Sequence, residues 1–453
     1  MGIFRSYDVR GVYGKDIDES IMRRIGEAFA VFCRKDSVVA MDVRISSPAL
    51  SSAFIEGASS RGINVINART LPLGTGMFHA WQEGKEFAYI TASHLPKEWC
   101  GVKFFHANGI GFLEEENMKI RAIFDSGSKT SKGFIYEVSD DIIGKYSKYL
   151  YDKIRFSRKL NIAIDNGNGA ASLITKKLFE GAGNEVDAIF DSPDGNFPNR
   201  LPDPLDAEIG NLKEIMSNYD IGIAYDGDGD RMAVVDENGK MLSPEQTSYI
   251  ILSKLLASQK GPIIANVECT RLIDDIAAKF SRPVIRAPVG HTFLMQYVNS
   301  HGACYGVESA GHYCVPSIVP FDDAIAISMY AAASFSESDF NLSEIVGAMP
   351  VHVFERKSFE CPYDLKFDVM GSLKTSIMKR YDKTITIDGV RIDFENGWAL
   401  LRSSNTSPYI RLTVEGNTKK DFCAIQKEFI GVMESEFTSR GLSMKEEHTK
   451  NNK

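Results

Sequence analysis

The chain has no Cys-x-x-Cys pair, no Gly-x-Ser-x-Gly elbow and no surplus of basic residues. Nor does any apolar run reach the roughly 18 residues that a membrane span needs. Each absence removes a class of protein. Seven cysteines, Cys33, Cys100, Cys269, Cys304, Cys314, Cys361 and Cys423, are odd in number and scattered. They suggest neither a disulfide framework nor a structural zinc site, and they point to a reducing, cytoplasmic setting. The N-terminus lacks the apolar core of a signal peptide, so neither secretion nor a membrane partner is expected. With 52 basic against 60 acidic residues, a net charge of -8, the chain is ill suited to a broad nucleic-acid surface. What remains is a soluble-type composition, 43% hydrophobic and 25% charged, with enough apolar residues to build a core. At 453 residues, and about 100 to 200 residues per domain, three or four domains are expected.

The hydrophobic pattern repeats. Residues 18–135 alternate helix and strand: Ile21, Ile25, Phe29 and Phe32 form a helical stripe, 38–43 reads as a strand and 50–57 as a second helix. After the polar stretch 125–133 the alternation restarts, with strands at 160–164 and 221–224 and a helix at 173–180. A third unit places helices at 249–257 and 273–280 and strands at 262–267 and 283–286. Alternation of this kind implies mixed or parallel sheets covered by helices. The last hundred residues differ: closely spaced strands at 384–387, 390–394, 398–402 and 409–415 precede a helix at 422–434, a smaller α+β domain. The polar tail 443–453 has little to bury.

Asp226-Gly-Asp228-Gly-Asp230-Arg231 carries the densest chemistry. Three carboxylates at alternate positions can converge on one hard cation, and the intervening glycines let the loop curl. Asp226, Asp228, Asp230 and Glu237 also fall at EF-hand positions 1, 3, 5 and 12. That reading fails because Arg231 replaces the position 6 glycine and strands flank the loop. A divalent metal in a strand-to-strand turn is expected, Mg²⁺ where phosphate completes the ligand set.

Ile90-Thr-Ala-Ser93-His94-Leu-Pro96 sets a serine beside a histidine. In extended chain adjacent side chains face opposite ways, so His94 is a poor base for Ser93. Lys103 in Gly-Val-Lys-Phe suits proton transfer, phosphate neutralisation or an ordinary solvated role. Arg402-Ser-Ser404-Asn405-Thr406-Ser-Pro408 offers a guanidinium fork and several phosphate donors, or a simple turn. Gly306-Val-Glu308-Ser309-Ala310-Gly-His312 joins a carboxylate to an imidazole, suited to sugar hydroxyls, to proton transfer or to a plain loop. Asp165-Asn-Gly167-Asn-Gly169-Ala-Ala-Ser172 is a partial dinucleotide fingerprint and reads as a tight strand-to-helix turn. Pro202-Asp-Pro204 reads as a rigid loop.

In this order the clusters resemble the α-D-phosphohexomutase family, particularly phosphomannomutase/phosphoglucomutase. The resemblance begins at Phe4-Arg-Ser-Tyr7-Asp-Val-Arg10-Gly11 and covers nearly the whole chain. It implies three successive α/β domains and a smaller C-terminal α+β domain around a central active-site cleft, one signature loop from each. The corresponding boundaries are 1–137 (phosphoserine loop), 138–238 (metal), 239–352 (sugar recognition) and 353–453 (phosphate).

The resemblance also implies chemistry. A hexose 1-phosphate and its 6-phosphate, of mannose and/or glucose, are interconverted through a phosphoserine at Ser93 and a hexose 1,6-bisphosphate, which also serves as activator. Ser93 with Asp226, Asp228 and Asp230 holds Mg²⁺. Arg10, His94, Lys103, Arg231 and His312 serve catalysis, Lys103 and His312 as proton-transfer groups. Tyr7, His291, Glu308 and Ser309 meet the sugar, and Arg402, Ser404, Asn405 and Thr406 hold its standing phosphate. Phosphosugar is the one partner implied, and the sequence sets no oligomeric state. Departures are Ala310 for a family serine, Glu268 for a bacterial lysine, Ser407 for a glutamate and Leu95 for an asparagine. Phosphoglucosamine mutase, a non-catalytic phosphosugar-binding paralogue and a metal-dependent phosphatase are the alternatives. The Phe-Arg-x-Tyr-Asp start favours the mannose and glucose reading.

Overall fold

The computed structural model describes residues 2–126, 133–137, 141–404 and 407–446. Its contacts divide the chain into two compact units, Met1–Ile263 with His291–Ala348, and Ile264–Gly290 with Met349–Lys453.

In the first unit, β1 (Asp8–Val12), β2 (Ser37–Met41), β3 (Val65–Thr70), β4 (Glu86–Ile90), β5 (Trp99–Phe105) and β6 (Ile135–Glu137) form one sheet, in the order β1-β5-β4-β2-β3-β6. The pairs β2·β3, β2·β4 and β3·β6 are parallel, whereas β1·β5 and β4·β5 are antiparallel, so the sheet is mixed. Helices Glu19–Cys33 and Ser47–Ser59 cover it. The first starts at Asp18, whose side chain accepts the Ile21 N–H; of the expected stripe it buries Ile25 and Phe29 fully and Ile21 and Phe32 partly, with Met22 added to the buried face. Phe29 is fully buried and stacks on Phe104 at 5.1 Å, so Phe29→Ala would cost about 3–5 kcal/mol.

A second sheet holds β7 (Asn161–Asp165), β8 (Glu185–Ile189), β9 (Ile221–Tyr225) and β10 (Met232–Val235) in the order β10-β9-β7-β8. Here β7 pairs in parallel with β8 and β9, and β9·β10 is an antiparallel hairpin. The expected 173–180 helix is a short 3₁₀ turn, Ala170–Leu173, followed by a helix over Thr175–Gly181. β11 (Ile263–Asn266) spans the division between units, and β12 (Val284–Ala287) lies in the second. β13 (Tyr305–Glu308) and β14 (His312–Cys314) make an antiparallel hairpin in the first unit.

The second unit is built on the antiparallel sheet of β15 (Val353–Glu360), β16 (Val390–Phe394), β17 (Gly397–Ser403) and β18 (Tyr409–Gly416), ordered β15-β18-β17-β16. Alternation divides its faces. Leu401, Ile410, Leu412 and Val414 pack with helices Lys366–Met378 and Lys419–Ser439. Trp398 and Leu400 point the other way, onto Val267, and Arg391 donates from the same unit to the carbonyls of Val267 (2.7 Å) and Cys269 (3.1 Å). The fourth strand is therefore β15, not 384–387. Ile385 makes only an isolated bridge to Arg391, because the turn at Asp388-Gly389 ends the pairing.

Candidate active site

β4 ends at Ile90 and the chain turns sharply. Ser93 has φ +52°, a left-handed backbone that a serine adopts at a cost of about 1–3 kcal/mol. This corrects the extended geometry assumed above. In place of facing away, His94 brings Nδ1 to 3.3 Å from Ser93 Oγ. The turn is held from beneath by Arg44, a residue the motifs did not single out. Its Nη2 donates to the carbonyls of Ser93 (2.7 Å) and Leu95 (2.6 Å), and its Nη1 to those of Pro96 (2.7 Å) and Trp99 (3.1 Å). Asp42 neutralises Arg44 at 3.0 Å, both side chains being wholly buried. The Ser93 N–H donates to Thr91 Oγ1 at 2.8 Å, and that oxygen lies 2.8 Å from Asp42. One visible signal was Asp42-Val-Arg44, a charge pair directly after an apolar strand.

The acidic loop is the tip of the β9·β10 hairpin, so strands flank it as expected. Gly229 takes φ +75°, and a Cβ on Gly227 would lie 2.8 Å from the Ser93 carbonyl oxygen. Glycine there is what lets the two loops touch. Asp226 Oδ1 accepts the N–H groups of Gly229 (2.9 Å), Asp230 (3.0 Å) and Arg231 (3.2 Å), which fixes its carboxylate. Its Oδ2 accepts from Ser93 Oγ at 3.2 Å.

Asp226, Asp228 and Asp230 are buried, and each brings a carboxylate oxygen within 4.8 Å of the others. Burial, then the charges of Asp230 and Asp228, push the Asp226 pKa well up. Asp230 is held well down: burial opposes this, but the positive charges around it, Lys103 foremost, outweigh it. Asp228 Oδ1 and Asp230 Oδ1 are buried without a hydrogen-bond partner among the described residues. Crowded carboxylates with two orphaned oxygens fit a hard divalent cation, which would allow all three to ionise.

Lys103, on β5, is buried and serves as the cluster's internal cation, with Nζ 3.0 Å from Asp228 Oδ2 and 2.6 Å from Asp230 Oδ2. An ordinary solvated role is thereby excluded. Burial would lower its pKa, but Asp228 and Asp230 raise it beyond the normal lysine value. Arg231 donates Nε–H to His312 Nε2 at 3.0 Å, and His312 Nδ1 lies 3.1 Å from Asp322 Oδ2. Burial disfavours a charged His312, whereas Asp230 and Asp322 draw its pKa up. An arginine donor at Nε2 demands a lone pair there, so the geometry fits neutral imidazole with its proton on Nδ1. Asp322 is a second residue the motifs did not reveal.

Glu308 and His312 are register partners across β13·β14, and both are buried. The His291 ring lies 5.4 Å from that of His312, and burial lowers its pKa to about 4. Burial, then Arg231 and Arg10, lower the His94 pKa to about 2, so this imidazole is neutral. Arg10 pairs with Asp8 at 2.7 Å, and Tyr7 meets Phe293 edge-on at 5.3 Å. Ser309, half-buried, sits in the turn after Glu308. In the partial dinucleotide fingerprint, Asp165 binds Arg200 at 3.0 Å, which makes it a structural turn.

In the second unit, Arg402, next to the last residue of β17, has Nη1 2.8 Å from Glu268 Oε1. Ser404 is buried, accepts the Ser407 N–H at 3.2 Å, and has its carbonyl capped by Lys366 Nζ at 2.7 Å. Asn405 and Thr406 lie outside the described residues.

The chemistry that the Ser93 cluster suits is metal-assisted phosphoryl transfer. The sequence matches phosphoglucomutase/phosphomannomutase domains in four consecutive segments: alpha/beta/alpha domain I over 1–131, domain II over 144–239, domain III over 243–352 and the C-terminal domain over 365–432. The chain therefore belongs to the phosphoglucomutase/phosphomannomutase family, the α-D-phosphohexomutases, whose members are phosphotransferase-type mutases. It is 30% identical over 442 residues to a phosphomannomutase/phosphoglucomutase of Pseudomonas syringae pv. tomato, covering 94% of each chain. It is also 30% identical over 434 residues to a probable phosphoglucosamine mutase of Methanosarcina acetivorans, covering 93% of this chain and 96% of that one. A solved phosphoglucomutase/phosphomannomutase family protein from Burkholderia thailandensis superposes with a TM-score of 0.89 at 26% identity, covering 98% of both chains. Among the described residues no helix is long and apolar enough to cross a membrane.

Proposed function

We propose that this chain interconverts hexose 1-phosphate and hexose 6-phosphate, with mannose and/or glucose as the sugar, through phosphorylated Ser93 and a hexose 1,6-bisphosphate. The observation that carries the reading is Ser93 Oγ placed 3.2 Å from Asp226 in a left-handed turn beside three buried carboxylates. Asp226, Asp228 and Asp230, with the Ser93 phosphate, would hold Mg²⁺, which when bound neutralises phosphoryl oxygens. Arg10, His94 and Arg231 surround that phosphate.

In the forward half-reaction the sugar O6 bonds to phosphorus as the bond from phosphorus to Ser93 Oγ breaks. His312 Nε2 accepts the hydroxyl proton once the sugar hydroxyl replaces Arg231 Nε–H at its lone pair, and the Lys103 ammonium supplies one to the leaving serine oxygen. Tyr7, His291, Glu308 and Ser309 orient the sugar, while Arg402, Ser404, Asn405 and Thr406 hold the phosphate that does not react. The bisphosphate then turns, and its other phosphate returns to Ser93, which restores the enzyme and releases hexose 6-phosphate. Segments 1–137, 138–238, 239–352 and 353–453 contribute phosphoserine, metal, sugar and phosphate functions in turn.

Phosphoglucosamine is the second substrate reading, favoured by the archaeal relatives named phosphoglucosamine mutase. Coupled turnover of glucose 1-phosphate, mannose 1-phosphate and glucosamine 1-phosphate, with Mg²⁺ and a trace of glucose 1,6-bisphosphate, tests both. Turnover of the first two supports the proposal, and turnover of the third alone selects the second reading. No turnover of any by phosphorylated protein removes both. Intact mass adds a direct check: the phosphoryl adduct must vanish in Ser93→Ala.

A further inference from the structure

Arg402 is not alone on its sheet face. It lies directly opposite Arg411 across β17·β18, and Arg411 lies opposite Ser358 on β15, two residues from Arg356. Cross-strand partners and alternate positions share a face, so all three arginines project to the side opposite the helices. Glu268, only 4% exposed, reaches this face from the segment after β11. Its Oε1 accepts from Arg402 Nη1 at 2.8 Å and its Oε2 from Arg356 Nη2 at 2.9 Å. The positive charge of Arg411 acts on it as well.

Two arginines thus share one carboxylate, each holding one of its oxygens. The arrangement is what a bidentate oxyanion would make, with a side chain in the anion's place. The cluster also holds a donor that its internal anions do not satisfy. Against three arginines stand Glu268 and Asp388, and Asp388 lies 3.6 Å from Arg402 Nε, too far for a hydrogen bond. That Nε is buried and has no hydrogen-bond partner among the described residues. A buried donor is therefore left over.

We propose that Glu268 is the resting counter-ion of a two-arginine anion site, and that a phosphate monoester dianion takes its place on Arg402 and Arg356. The proposal rests on the reading that the last domain holds the standing phosphate of the substrate, and it adds Arg356 to that site. Glu268 stabilises two guanidinium groups that would otherwise be buried or crowded without an anion. The incoming phosphate carries more charge and more acceptor oxygens than the carboxylate it replaces, so the exchange favours it. Part of its affinity is nevertheless spent displacing Glu268. Arg356 is partly exposed and on a long side chain, so it can swing with the anion.

Calorimetric binding of glucose 6-phosphate and of inorganic phosphate to the full-length protein, with folding confirmed by circular dichroism, tests this. Glu268→Gln should tighten both ligands about 3- to 10-fold, since the competing charge is gone while the shape is kept. Arg356→Gln should weaken both about tenfold, and Arg356→Lys should recover part of the loss. If Glu268→Gln does not fold, Glu268→Asp serves, because a shorter carboxylate withdrawn from Arg402 should also tighten binding. A folded Glu268 variant with unchanged or weaker binding overturns the proposal, as does unchanged binding in Arg356→Gln. Arg402→Gln separates the two levels. If it weakens binding while the Glu268 and Arg356 variants do nothing, only the counter-ion proposal fails. If it too leaves binding unchanged, the phosphate reading of the last domain fails with it.

Discussion

In the first unit two of three buried aspartates share one lysine, and in the second two arginines, with the charge of Arg411 acting beside them, share one buried glutamate. Each cluster gathers charges of one sign around an internal counter-ion, Lys103 in the first and Glu268 in the second. The difference is in how the gathered charges are held. Asp226 is fixed by three backbone N–H groups at a hairpin tip, on the shortest acidic side chain. The arginines come from three strands on long stems, and Arg356 is 36% exposed. A small, demanding cation needs the first construction, whereas a phosphate that must be read from either end of a sugar tolerates the second.

The sharpest break in this comparison is at Ser93, which the acid cluster serves and for which the arginine face has no equivalent. Ser93→Ala is expected to lower turnover by about 10³-fold or more while leaving phosphosugar binding by the second unit intact. Equal loss of binding would mean that the two clusters are not functionally separable. Next in size is Arg44→Met. It leaves Asp42 buried without its partner and releases four carbonyls, at about 3–5 kcal/mol. Thermal unfolding should show the first unit's transition lowered and the second unit's unmoved. A midpoint within error of the parent would show that the Ser93 turn does not depend on Arg44.

What sequence could reveal divides along the same line. Asp226, Asp228 and Asp230 announce themselves because one loop supplies all three within five residues, and the alternation of helix and strand likewise carried the three α/β domains. Arg44 is 49 residues from Ser93, and Arg356 is 88 residues from Glu268. Pairings of that separation exist only once the sheets form, so nothing local marks them. Asp322 is only ten residues beyond His312, but nothing local in the sequence marks that the chain folds back to set it 3.1 Å from the ring. The left-handed backbone at Ser93 was misread because Thr-Ala-Ser-His-Leu-Pro contains no glycine to advertise it. The 384–387 strand was misread because its alternating pattern is real but it has only one partner residue to bridge.

If each cluster is restrained by its own counter-ion, removing that ion should tighten the external one in both units. Lys103→Met takes a buried ammonium from Asp228 and Asp230. Mg²⁺ affinity should then rise about tenfold, roughly 1.4 kcal/mol, even as turnover falls. The stabilisation of the first unit by Mg²⁺ in thermal unfolding reads this without any activity assay. Unchanged or weaker Mg²⁺ binding would mean that Lys103 supports the carboxylates more than it competes for them.

The smallest effect is the pH dependence of the arginine cluster. Burial alone would raise the Glu268 pKa, but the charges of Arg356 and Arg402 outweigh it and hold the group below the ordinary glutamate value. Between the folded and unfolded values the unfolded chain binds more protons, so stability increases with pH across that window. The contribution of Glu268 is therefore complete above its unfolded pKa of about 4.3 and is lost as pH falls through the lower folded value. The parent and Glu268→Gln should differ in second-unit unfolding at pH 7, and the gap should close as the solution is acidified below pH 4 or so. A gap that is constant with pH would mean that Glu268 acts by shape and hydrogen bonding alone. A gap that closes shows its charge restraining the arginines, as the Lys103 charge restrains the aspartates.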